Sequence, residues 1–309
     1  MITTIFSKSR PFNYILIISS LILCFLLLEY QNNEWQSSSL LIIKKIGLLL
    51  LLVASLLLTN FISKRNGLSK ETSFPMLFFL LFLILLPSTL DDFKLVASNF
   101  FVLLGFRKLI SLQSLTMTKE KIFDASIWIF VATLFHFWSI LYLLLLFFSI
   151  ILHVSRDYRN WLLPYIALFL VSIVFLFVSL IFNKLWIYQL IESAQTNFDF
   201  DYFTNSFQNI SFSIYAAIAA LFFIAQNLSL SSKPLILNAA YKKIIMSFLI
   251  GITIFLISPY KSNSVLVFTF MPLSVMAASY IEESEVKWMK ETTVGIIIGL
   301  CLLSFFFQL

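Results

Sequence analysis

Between Phe123 and Val154 the chain runs for 32 residues with Asp124 as its one formal charge, although about 20 residues are enough for a helix to cross the ~30 Å hydrocarbon layer of a membrane. Lys119 and Lys121 precede this stretch and Arg156 and Arg159 follow it. Basic residues stay on the cytoplasmic face, so both ends lie on one side and the stretch is expected to cross twice, as a short helical hairpin over 123–154. Its polar interruption, His136-Phe-Trp-Ser139, marks the turn, with Trp138 at the far interface. At 1.5 Å per residue each leg covers only about 21 to 24 Å. The turn is therefore expected below the outer surface, in a cavity lined by other helices, which makes His136 an intramembrane polar group and a functional candidate.

The rest of the chain fits the same environment. A hydrophobic fraction of 60%, 12% charged residues and a mean hydropathy of +0.97 lie far from soluble-domain usage and predict an all-α polytopic membrane protein, a single integral membrane domain over 1–309. About eleven spans are expected: near 13–28, 42–62, 74–86, 95–112, the two legs of the hairpin, 161–182, 210–228, one ending at Pro259, one containing Met271-Pro272, and one from Thr293. With the N-terminus inside and the C-terminus outside, sixteen of the 21 Lys and Arg fall in cytoplasmic segments, Lys242 and Lys243 among them. The net charge of +6 thus reports topology and not a nucleic-acid partner. The basic N-terminus followed by an apolar run reads as a retained first helix, since no small-residue cleavage site follows. Cys24 and Cys301 both fall in apolar spans and read as small core residues, and there is no disulfide framework and no zinc-ligand spacing.

Three acidic groups are expected on the outer face: Glu29 and Glu34 after the first span, Asp91 and Asp92 between the third and fourth, and Asp199 and Asp201 in the longest outer loop, 183–209. Carboxylates gathered there can act as general bases or hold a divalent cation against a phosphate. Taken singly, each is more simply a solvated loop acid. His153 reads as an interfacial anchor, and Gly295-Ile-Ile-Ile-Gly299 as a surface for close packing between helices of this chain. No carboxylate sits at mid-depth in a span and no Walker sequence occurs, which argues against a secondary or primary transporter.

The segments MITTIFSKSRPFNYI, FDASIWIFVATLFHFWS and DYRNWLLPYIALF resemble a family of uncharacterised multi-pass inner-membrane proteins of Bacteroidota, a similarity that covers the chain and implies a bacterial inner-membrane location. More loosely, residues 1–182, with a short-span pair, a short hairpin and a basic loop leading into a long span, resemble the membrane half of the GT-C glycosyltransferases, which use polyprenyl-phosphate sugars. The resemblance implies a base after the first span, here Glu34 or Glu29; on the same reading Asp91 and Asp92 are expected to orient the donor phosphate or bind a metal. It also implies a phosphate contact at the hairpin tip, where this chain has His136 in place of the lysine common in that superfamily. The expected function is then sugar transfer from a polyprenyl-phosphate carrier in envelope glycan assembly. The competing expectation is a non-catalytic membrane subunit of an envelope or secretion complex, docking through the aromatic-rich loop 183–209 onto membrane-protein partners.

Overall fold

In a computed structural model, residues 2–31, 39–198, 206–284 and 286–308 are described. All their regular structure is helical: α1 (Ile2–Phe6), α2 (Pro11–Gln31), α3 (Ser39–Arg65), α4 (Phe74–Leu85), α5 (Phe93–Ile110), α6 (Thr118–Phe135), α7 (Tyr142–His153), α8 (Arg159–Phe182), α9 (Leu185–Glu192), α10 (Ser206–Ser229), α11 (Leu235–Ile257), α12 (Val267–Glu283) and α13 (Lys287–Gln308). Eight described stretches are long and apolar enough to cross a membrane, built on α2, α3, α5, α8, α10, α11, α12 and α13. This is a membrane protein. The difference from eleven expected spans lies in α4 and α7, of 12 residues each, and in α6, whose first two turns carry Lys119, Glu120, Lys121 and Asp124.

The core is set by α4 and α12. Every residue of α4, FPMLFFLLFLIL, is buried, as is 94% of the apolar window of α12. A helix that is apolar all round, as α4 is, has no polar face to offer water, and both helices are enclosed by their neighbours: α4 packs on α12, α13 and α3, and α12 also on α10 and α11. Phe82 meets Tyr215 edge-on with ring centroids 5.5 Å apart, and the Tyr215 hydroxyl lies 2.5 Å from Thr269 Oγ1. At the periphery α8 has only 17% of its window buried and exposes Phe169, Phe177 and Phe182.

Close backbone approach occurs at isolated glycines. A Cβ on Gly251 of α11 would lie 2.6 Å from Thr269 Cγ2 and 3.2 Å from backbone atoms of α12. One on Gly105 of α5 would lie 3.2 Å from the Ala125 carbonyl of α6. The expected packing role of Gly295 and Gly299 is not met, because a Cβ at either would find nothing within 4 Å.

The hairpin forms as a helix, a turn and a helix. α6 ends where His136 takes an extended conformation, a 3-10 turn covers Phe137–Leu141, and α7 follows. The turn is held from inside: Ser139 Oγ lies 2.6 Å from Ser98 Oγ, which donates to the Ala132 carbonyl at 3.0 Å. The Tyr142 hydroxyl donates to the Phe268 carbonyl at 3.1 Å, tying α7 to α12.

Two boundary expectations are corrected. The first helix runs on to Gln31, so Glu29 is a buried helical residue and not the start of a loop. Lys242 and Lys243 lie in α11, which starts just after Pro234, and not in a loop.

Candidate functional site

The residues singled out in the sequence divide into three groups in space. Glu34, Asp199 and Asp201 lie outside the described residues. Glu29 and Asp91 are brought together by a single cation, since Lys45 Nζ donates to Glu29 Oε1 at 2.5 Å and also to Asp91 Oδ1. Lys45 therefore crosslinks α2, α3 and the segment before α5. A carboxylate held this way accepts from its ammonium and is committed to it, a role different from that of a base awaiting a substrate proton.

Asp92 and His136 form the third group, and they share a cavity. Asp92 is the N-cap of α5, its side chain accepting from the Leu95 amide at 3.1 Å, where a carboxylate also complements the positive end of the helix. The cavity, about 380 Å³, is lined by Asp92, Lys94 and His136 together with Glu192 of α9 and Tyr260 and Lys261 after α11. The His136 ring lies 5.6 Å from that of Phe268, and its Nε2 is buried with no hydrogen-bond partner among the described residues.

The wall opposite α5 is stapled in place by the segment after α9. Trp138 Nε1 donates to the Gln195 carbonyl at 3.3 Å, the Asn197 amide to the Ile257 carbonyl at 3.3 Å, and Lys261 Nζ to the Asn197 carbonyl. Two ammonium groups, an imidazole and two carboxylates thus face one space of a size that admits a phosphate-bearing headgroup. Among the described residues, no three His, Cys, Asp or Glu side chains gather closely enough to hold a metal ion.

A family model described as a family of unknown function (DUF6427) matches residues 1–309. The chain belongs to this family. No curated protein and no solved structure matches it.

In this DUF6427 protein a second constellation, which the sequence reading missed, lies near the start of α11. Lys243 is fully buried, its Nζ donating to the Leu109 carbonyl at 2.7 Å and lying 3.5 Å from His153 Nε2. Ionisable side chains inside a membrane domain are costly and mark functional positions by default. His153 lines an adjoining cavity of about 590 Å³ with Arg156, Asp157 and Asn160, so it stands between the buried lysine and the surface. One signal for Lys243 was present: Pro234 before an apolar run is a helix start, which puts position 243 in the third turn.

Proposed function

We propose that this DUF6427 protein is a GT-C-like glycosyltransferase of the bacterial inner membrane that takes a sugar from a polyprenyl-phosphate carrier at the outer face. The observation that carries the reading is the shared cavity of Asp92 and His136, with Lys94 and Lys261 to meet a phosphate. His136 contacts the donor phosphate, Asp92 orients it or a divalent cation, and Glu34 supplies the base. Asp92→Asn separates chemistry from folding, because asparagine caps a helix about as well as aspartate. The expected result is that Asp92→Asn, His136→Ala and Glu34→Gln each lower lipid-linked sugar transfer by about a hundredfold or more with unchanged protein in the membrane. Normal envelope glycan profiles in all three would sink the assignment.

The reading needs eleven crossings, with the N-terminus inside and the loops at Asp92, His136 and Tyr260 outside. Cys24 and Cys301 are both buried and can be replaced to give a cysteine-free background. A cysteine at Tyr260, which is 75% exposed, is then expected to react with a membrane-impermeant thiol reagent in intact cells, and one at exposed Ser155 only after permeabilisation. The reverse pattern would invert the topology and move the cavity to the cytoplasm.

A second reading, a non-catalytic subunit of an envelope or secretion complex, draws on α9. This helix has no buried residue and exposes Leu185, Trp186, Tyr188 and Ile191, large contacts of the kind interfaces favour. Purification in mild detergent with mass spectrometry separates the two readings. Stoichiometric subunits favour the complex, and a lone chain with bound polyprenyl lipid favours the enzyme.

A further inference from the structure

At its far end α5 builds a cavity that the glycosyltransferase reading does not use. The helix has 18 residues, about 27 Å at 1.5 Å per residue; it starts at the Asp92 cavity and finishes with Arg107 and Lys108. There, a cavity of about 530 Å³ is lined by Arg65, Arg107, Lys108 and Lys121, against the carboxylates of Glu120 and Asp124. Asp124 is committed to Lys108 at 2.6 Å. The guanidinium groups of Arg107 and Arg65 sit 4.7 Å and 5.5 Å from the Phe61 ring centroid, and neither makes an ion pair among the described residues.

The loop between α5 and α6 completes the cavity. Leu115 and Met117 hold φ of 54° and 48°, a left-handed conformation costly for bulky residues, while Ser114 and Thr116 line the cavity. Lys121 donates to the Ser111 carbonyl at 2.8 Å and to Ser114 Oγ at 2.7 Å. Burial, together with the charges of Lys108 and Arg65, holds its ammonium below the usual lysine range.

Basic residues at the ends of membrane helices often do no more than balance the helix dipole and mark topology. Two features go beyond that. The cations enclose a volume, and a second cavity of about 270 Å³ shares Arg107, Lys108 and Asp124 and continues over Leu104, Ile127 and Trp128. An anionic head and an apolar tail are both provided for.

We propose that these joined cavities bind a phosphate monoester, its phosphate between Arg65, Arg107 and Lys121 and the hydrocarbon of its carrier along Leu104, Ile127 and Trp128. Guanidinium forks match phosphate oxygens in pairs, and an arginine held over an aromatic ring is already oriented to do so. The test is native mass spectrometry of the full chain in non-ionic detergent with three probes: dioctanoyl phosphatidic acid, dioctanoyl phosphatidylcholine and inorganic phosphate. One saturating adduct with phosphatidic acid is expected, about tenfold or more tighter than with phosphatidylcholine. Arg107→Gln and Lys121→Gln should each weaken it by about tenfold to a hundredfold, as loss of a charge-assisted hydrogen bond does. Arg156→Gln, in a different cavity, should leave it unchanged. Melting temperatures of the same samples separate loss of ligand from loss of fold, and Lys121→Gln gives an independent reading if Arg107→Gln unfolds. Equal binding of phosphatidylcholine, or equal loss with Arg156→Gln, overturns the proposal. Displacement by inorganic phosphate at equal concentration keeps the phosphate site and overturns the lipid carrier.

Discussion

Gly251→Val is expected to remove the folded protein from the membrane, and Gly251→Ala to lower its melting temperature in detergent by many degrees. The Cβ of alanine would already lie 2.6 Å from Thr269 Cγ2 and 3.2 Å from the backbone of Phe268 and Thr269. Thr269 cannot swing aside cheaply, since its Oγ1 pairs with the Tyr215 hydroxyl at 2.5 Å and donates to the Leu266 carbonyl at 2.6 Å. Nor can α12 retreat, being packed by α4, α10 and α11. Overpacking of this kind costs about 1–3 kcal/mol for small insertions, and the γ-methyls of valine, aimed at backbone, add to that. Gly295→Ala and Gly299→Ala are the controls: with nothing within 4 Å, they should hold or raise the melting temperature, since alanine favours a helix by up to about 1 kcal/mol over glycine. A Gly251→Ala protein that melts like the parent would show that α11 and α12 do not approach this closely.

Lys243 should respond oppositely to two substitutions. Its ammonium has surrendered water for one carbonyl, Leu109 O, and the edge of His153, with no carboxylate as ion-pair partner among the described residues. Burying an ion costs about several kcal/mol, and an apolar side chain of similar length does not incur that cost. Lys243→Met is therefore expected to melt at or above the parent temperature, while Lys243→Glu, which sets a carboxylate against the Leu109 carbonyl, should lose about 3–5 kcal/mol or more and fail to accumulate. Thermal melting of the purified variants decides the point. If methionine destabilises as much as glutamate, the lysine is a structural staple between α5 and α11 rather than a group kept at a cost in stability.

What the sequence made legible follows from which signals are local. The hairpin was visible because His136 to Ser139 is the polar break in an apolar run too long for one crossing. The helix start at Pro234 is equally local, yet charge alone places the basic pair at 242–243 in a loop and not in α11. The side of the Asp92 cavity that His136 forms is legible from the short hairpin, but the other walls are not: Lys94, Glu192 and Lys261 come from three separate parts of the chain, and nothing in any one of them names the others. Glu29 misled for the same reason, because the lysine that draws it into the protein lies in the next helix. The glycine pattern in α13 failed differently. Small residues four apart describe a smooth surface but not which way it faces, and the close contact fell to Gly251, which belongs to no pattern at all.

The enclosure of α4 bears on how the protein is made. Twelve residues reach only about 18 Å, so alone in lipid the ends of this helix would leave backbone groups in hydrocarbon, where each costs several kcal/mol. In the finished bundle the Ser73 amide, at the helix entry, is met by the Phe6 carbonyl at 3.0 Å, and the sides are covered by α12 and α13. During synthesis those two helices, from Val267 and Lys287, leave the ribosome long after α4, which starts at Phe74. The centre of the protein is thus translated well before it can be covered, and until α12 and α13 arrive the nascent chain depends on the insertion machinery to shelter it.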